Sequence, residues 1–386
     1  MLIFLCPAVL DAVVFLVLFA ISYGAGERGM SMMQCAWLSG IVQLMYMAAS
    51  PAAGLALSRR NARGLLVAGT VLSIVDAVIC LLLQSFWPLL VALGVFGVVT
   101  ALFFNAFQTF MRGEAPPGGL ARASALYTLA WSTGSSAGFL LSGALYRLGP
   151  LPLALLTCAV GVLVAVMLLR HKSRPQDTGS ADEHVEPAHD GAEVDHASYV
   201  WVAWLIVFTA MFTQRPIQTF YPAISAQQGV APALAGLPLF LHMLAQGISG
   251  LLMLRLRHLL YRRWALLVVQ GAAVFLLLCL WLIPGYVFSA IAISMLGAWA
   301  GFSYFCAVYY ASNSGRRSRN IGVNEFLVGL GSFCGLFVSQ WFMKQVGSDA
   351  VMYAVCAGAI LVSATLQWLV AGRRAGSRQY SVDSVQ

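Results

Sequence analysis

The chain has 386 residues, of which 60% are hydrophobic and 9% charged, with a formal net charge of +8. A soluble domain carries roughly a quarter charged residues, so this composition excludes a water-soluble enzyme or binding module. The apolar segments show no period-two alternation, which excludes a membrane β-barrel.

Apolar runs long enough to cross a hydrocarbon core of about 30 Å predict twelve helices along the chain. The first six fall at 4–24, 32–57, 64–84, 87–111, 122–146 and 150–170. The first has no basic n-region, and "SYGAGERG" at its end lacks an A-x-A cleavage pattern, so a retained helix is expected rather than a signal peptide. The stretch "HKSRPQDTGSADEHVEPAHDGAEVDHAS" then offers almost nothing to bury and reads as a disordered linker. It holds His171, His184, His189 and His196 among acids, so metal sensing is an alternative to a solvated spacer. The second six helices are expected at 198–222, 231–254, 264–283, 286–311, 321–344 and 350–371. The expected organisation is a bundle over 1–170, a cytoplasmic linker over 171–197, a bundle over 198–372 and a tail over 373–386.

Charge sets the orientation. Eighteen of the 22 Lys and Arg follow even-numbered helices, among them Arg59, Arg60, Arg63, Arg170, Arg255, Arg316 and Arg373. The positive-inside rule places those loops and both termini in the cytoplasm. The net charge is therefore a topology signal, and no nucleic-acid partner is expected. All eight cysteines fall within the predicted spans and none forms a C-x-x-C pair, so neither disulfides nor a cysteine zinc site are expected.

The two halves repeat. "RASALYTLAWSTGSSAGFLLS" aligns with "RNIGVNEFLVGLGSFCGLFVS", matching Arg122, Gly134, Gly138 and Ser142 with Arg319, Gly331, Gly335 and Ser339, each 197 residues on. Pro88 and Pro284 fall before helices 4 and 10 at nearly the same offset. These matches indicate a duplicated six-helix unit. The loop "GLALSRRNARG" carries Gly54, Arg59 and Arg63 in the positions of a G-x-x-x-D-R-x-G-R-R/K signature, with Ser58, Asn61 and Ala62 departing from it. "GSSAGFLLSG" places Gly134, Gly138 and Gly143 in a helix 5 motif, with Phe139 where that motif has proline. On these features the whole chain resembles the major facilitator superfamily of transporters. The resemblance implies an all-α membrane protein with twelve transmembrane helices in two pseudo-symmetric six-helix bundles. It also implies a cytoplasmic gate loop at Gly54, Arg59 and Arg63, no cofactor and a monomer.

Ionisable side chains at membrane depth are functional candidates because apolar alternatives cost less. Glu325 lies about one turn inside helix 11 and reads either as half of a gate ion pair with Arg319 or a nearby arginine, or as a proton carrier. Asp11 lies on helix 1, which lines the cavity in the resembled fold, and is read as a coupling residue. Asp76 on helix 3 is either a structural acid or a coupling residue. Arg215 precedes Pro216 in "FTQRPIQTFYP", where a kink or break is expected. Arg215 with Gln214 and Gln218 suits an anionic group, the alternative being a snorkelling arginine. His242 is read chiefly as a packing histidine, with a titratable site as the alternative. Trp299, Tyr304, Tyr309 and Tyr310 suit a cavity wall, and Asn105 and Gln108 add hydrogen-bonding capacity near the cytoplasmic mouth.

These residues predict a secondary transporter for a small organic solute, with proton coupling left open. An uncoupled facilitator and a receptor without transport are the alternatives. No H-E-x-x-H, G-x-S-x-G or P-loop pattern occurs, so no enzyme is expected. The expected location is a bacterial cytoplasmic (inner) membrane.

Overall fold

A computed structural model describes residues 5–57, 61–114, 120–170, 196–313 and 317–382. The 171–195 part of the linker and Arg59 lie outside them. Twelve α-helices account for nearly all of the described chain, which contains no strand. They are α1 (Leu5–Glu27), α2 (Met32–Ala56), α3 (Ala62–Leu82), α4 (Phe86–Glu114), α5 (Leu120–Leu145), α6 (Pro150–Arg170), α7 (His196–Gln227), α8 (Pro232–Leu252), α9 (Arg263–Leu282), α10 (Tyr286–Ser312), α11 (Arg317–Val346) and α12 (Val351–Val382). Ten are long and apolar enough to cross a membrane. The two others, α2 and α5, carry more polar and small residues. Their Ser39, Gln43, Ser50, Ser132, Ser135 and Ser142 are buried against neighbouring helices, where a hydroxyl or amide can find a partner.

Two pseudo-symmetric six-helix bundles result. In the first, α1 packs on α5, α2 on α4, and α3 on α4 and α6; in the second, α7 packs on α11, α8 on α10, and α9 on α12. The bundles meet where α1 faces α7, α2 faces α11 and α5 faces α8. The duplication extends to backbone detail. Gly29 (φ 67°) ends α1 and Gly229 (φ 73°) ends α7. In both places the next residue returns a 6→1 hydrogen bond, Met30 N to Ala25 O at 3.0 Å and Val230 N to Ser225 O at 2.9 Å. This is the Schellman stop, and its left-handed residue favours glycine.

The repeated glycines of α5 and α11 have a packing cause. A Cβ on Gly134 or Gly138 would lie under 3.0 Å from the carbonyl oxygens of Ala8 and Ala12 on α1. A Cβ on Gly331 or Gly335 would meet those of Phe208 and Phe212 on α7 in the same way. The prolines behave otherwise than expected. Pro88 lies inside the first turn of α4 whereas Pro284 precedes α10, so they are not equivalent positions. α7 runs unbroken through Pro216 and Pro222. Pro216 leaves the Phe212 carbonyl without its helical donor, and Gly335 lets α11 press onto that carbonyl. The helix is continuous at a position where a kink or break was expected, and α11 packs closely on it there. α12 also continues past its expected end at 371.

Arg63 was expected in a gate. Its Nη2 instead donates to the carbonyls of Leu168 (3.1 Å) and Leu169 (2.8 Å), capping α6 within the same bundle. Arg63→Ala should therefore lower thermal stability in detergent by about 1 kcal/mol with little change in activity. A change in activity at unaltered stability would support the gate role.

Candidate functional site

The site is built where α1 and α7 face each other. Phe15 stands twelve residues before Glu27, and Arg215 twelve before Gln227, so the two meet at one depth. The Arg215 guanidinium lies over the Phe15 ring, 5.6 Å from its centroid, a cation–π contact between bundles. Asp11 is one turn before Phe15 on the same face of α1. Asp11 and Arg215 are only 4% and 8% exposed, and each feels the other's charge. Yet Asp11 Oδ2 and Arg215 Nε have no hydrogen-bond partner among the described residues.

Tyr304 on α10 sits in the field of Arg215, Glu325 and Asp11. Trp131 on α5 meets its ring edge-on, with centroids 4.8 Å apart. Across the α2–α11 contact, the Tyr46 hydroxyl donates to Glu325 Oε2 at 2.7 Å. Tyr46 in turn senses Tyr127 and Asp11. Asp11, Tyr46, Arg215, Tyr304 and Glu325 therefore form one electrostatic cluster, drawn from five helices and both bundles.

Toward the face that carries the odd-to-even helix connections, the distal face, the bundles are closed. Tyr23 donates to the Val230 carbonyl (2.7 Å), Gln227 to the Met30 carbonyl (3.2 Å) and Thr219 Oγ1 to Ser39 Oγ (2.8 Å). The Phe337 ring of α11 rests on Gly40 of α2, where a Cβ would stand 2.7 Å from Cε2, and Trp37 packs edge-on against it at 4.8 Å. A cavity of about 400 Å³ lies beyond, lined by Met32, Met33, Gln340, Met343, Lys344 and Asp349.

Helices long and apolar enough to span a bilayer, duplicated six-helix packing and buried charges between the halves define an architecture that comparison with known families tests directly. The model of the Major Facilitator Superfamily matches residues 3–213, more than half of the chain. The chain belongs to the Major Facilitator Superfamily. It is accordingly an integral, multi-pass membrane transporter of that superfamily. A search of curated proteins finds no match.

Within this superfamily member, several sequence candidates are placed away from the central cluster. Gln214 and Gln218 are one turn apart and turn toward α8, because Arg215 points about 100° away from Gln214 around the helix. Gln218 Nε2 contacts Met243 Sδ at 3.4 Å. Gln214 Nε2 donates to His242 Nε2 (2.9 Å) and to Gln246 Oε1, and Gln246 Nε2 donates to Ser132 Oγ at 2.9 Å. His242 Nδ1 is 2.8 Å from the Ile293 carbonyl. A carbonyl only accepts, so the proton is on Nδ1 and Nε2 accepts from Gln214. Both ring nitrogens are thereby occupied. The two glutamines do not join Arg215 as an anion clamp.

Trp299 lines a void of about 10 Å³ with Thr209, Gln270 and Ser303, between α7, α9 and α10 inside the second bundle. Asn105 donates to the Ala101 carbonyl (2.8 Å) and Ser50 Oγ (3.3 Å), joining α4 to α2. Asp76 is on α3, which packs on α4 and α6, and it acts on Cys80 one turn along. Gly54 falls in the last turn of α2, and the side chain of Gln108 is outside the described residues.

Sequence reasoning missed Tyr46, Phe15 and Trp131. A tyrosine three residues after Gln43 in "IVQLMYMAAS", and a phenylalanine one turn after Asp11, were the available signals. Both look like ordinary packing residues until the facing helix is known. Leucine at Gly40 should unseat Phe337 and open the distal face. In a variant with the native cysteines replaced, a cysteine at Ser39 should then be alkylated several-fold faster, whereas an unchanged rate would remove Phe337 as a plug.

Proposed function

We propose that this superfamily member is a secondary transporter moving a small organic solute by alternating access, driven by protons. The observation that carries the reading is the convergence of Asp11, Arg215 and Glu325 on the interface between the bundles. Ionisable groups are kept at that depth only for a function that needs them. Glu325 accepts the Tyr46 hydrogen bond across the α2–α11 contact. Protonation removes the charge that strengthens this bond, which loosens one contact between bundles and links proton occupancy to their rocking. Of the three acids, Glu325 and Asp11 are the coupling candidates this geometry favours.

The working units are the bundles over 1–170 and 198–372, joined by the 171–197 segment, with the termini in the cytoplasm of a bacterial inner membrane. In that orientation the closed distal face is the outer one. A cysteine at Ala188 should label only from the cytoplasm, and labelling from outside in intact cells would reverse the assignment.

The coupling reading is tested in proteoliposomes with an imposed pH gradient and a panel of labelled small organic solutes. At least one solute should accumulate, and a protonophore should abolish the accumulation. Flux that only equilibrates and ignores the gradient would make the protein an uncoupled facilitator.

A further inference from the structure

The Asp11–Arg215 arrangement points beyond transport of an unspecified solute. The two are an acidic and a basic side chain from opposite bundles, each more than nine-tenths buried, and each presents an unpartnered polar atom. They interact through space, but no hydrogen bond or ion pair closes between them. A purely structural pair at this depth would be expected to close, because an open buried pair keeps the desolvation cost of both charges and forgoes most of their attraction.

Geometry explains the separation. The guanidinium is stacked on Phe15, and Asp11 is four residues earlier on α1, about 6 Å along the helix axis. A compact solute with a cationic and an anionic end offers a hydrogen bond of about 3 Å to each of the two groups. Its carboxylate meets the planar fork of Arg215 and its ammonium meets Asp11. The solute is neutral overall, as is the pair, so binding satisfies both buried charges without adding a net charge to the gap. Phe15, Trp131 and Tyr304 provide aromatic surface beside it, which suits an apolar or aromatic side group.

We infer that the central site binds a zwitterion of amino-acid type, with Arg215 on the carboxylate and Asp11 on the ammonium. The inference rests on the transporter reading above, and it leaves Glu325 as the acid that takes the proton.

The test uses the purified full-length protein in detergent and three solutes that share one skeleton: phenylalanine, 3-phenylpropionate and 2-phenylethylamine. Titration calorimetry should show phenylalanine binding about tenfold or more tightly than either singly charged analogue. Asp11→Asn should remove that preference while leaving 3-phenylpropionate within about threefold of its original affinity. Arg215→Gln should do the reverse, sparing 2-phenylethylamine. If Arg215→Gln does not fold, Arg215→Lys should keep the preference but weaken phenylalanine, because the charge remains and the fork is lost.

Three results would overturn the inference: 3-phenylpropionate binding as tightly as phenylalanine, equal losses for all three solutes on Asp11→Asn, or no binding by any of the three. The proton-coupling reading fails separately. A retained zwitterion preference without proton-driven accumulation would reject coupling alone, and proton-driven accumulation of the anion alone would reject the zwitterion alone.

Discussion

Alanine at Gly138 destabilises the folded protein by about 2 kcal/mol or more, whereas alanine at Gly322 leaves it unchanged or slightly more stable. The cause of the first effect is a collision with backbone. A Cβ on Gly138 would stand under 3.0 Å from the Ala12 carbonyl oxygen and 2.9 Å from the Leu16 nitrogen. Neither can swing away as a flexible side chain would, so α1 and α5 must separate, and overpacking of this kind costs about 1–3 kcal/mol or more. Gly134, Gly331 and Gly335 meet carbonyls in the same way, and alanine at each should behave like alanine at Gly138.

Gly271, Gly322 and Gly358 are also helical, but nothing lies within 4 Å of a Cβ built on them. Alanine there gains up to about 1 kcal/mol of helix propensity. Melting temperature and monodisperse yield in detergent compare the two groups. If Gly138→Ala melts with the wild type, the helices are not in the close register described above.

Replacing Glu325 by glutamine should abolish accumulation against a gradient while sparing exchange and downhill flux. Glutamine keeps the shape and can still accept the Tyr46 hydroxyl, so the α2–α11 contact persists in a neutral form. It cannot bind or release a proton, so rocking continues without coupling and the pH dependence of uptake flattens. Tyr46→Phe removes the same hydrogen bond from the other side and leaves the carboxyl titratable. It should reduce accumulation more than downhill flux, because protonation of Glu325 then has no Tyr46 contact to loosen. Asp76→Asn should be close to silent in transport, because α3 packs within the first bundle against α4 and α6. Uphill transport that survives Glu325→Gln at full extent would remove Glu325 as the proton carrier. Uphill and downhill modes falling together would identify it as a gate contact instead.

The sequence by itself determined the membrane class, the helices, their boundaries to within a few residues in most cases, and the duplication. These depend on properties local to the chain. Hydropathy over about 20 residues decides whether a segment crosses a bilayer, and capping or turn chemistry ends it within one turn. The short list of ionisable residues at membrane depth was equally legible, since Asp11, Asp76, Arg215, His242 and Glu325 stand out against their neighbours in the primary sequence.

Which of them meet was decided only by the tertiary structure. Gln214 and Arg215 are adjacent in the chain, yet one enters a neutral network with His242 and the other crosses to Phe15. Adjacent helical residues point about 100° apart, and only the packing of α7 between α1, α8 and α11 says what lies in each direction. Pro216 was read as a kink or break because its missing donor is a local fact. The close approach of α11 to the carbonyl it leaves free depends on Gly335, more than a hundred residues later. Tyr46 and Glu325 are 279 residues apart, and their hydrogen bond forms because the pseudo-symmetric bundles bring α2 against α11. A side chain's depth is set by its own helix, but its partner is set by the helix across the gap, and no local pattern records that register.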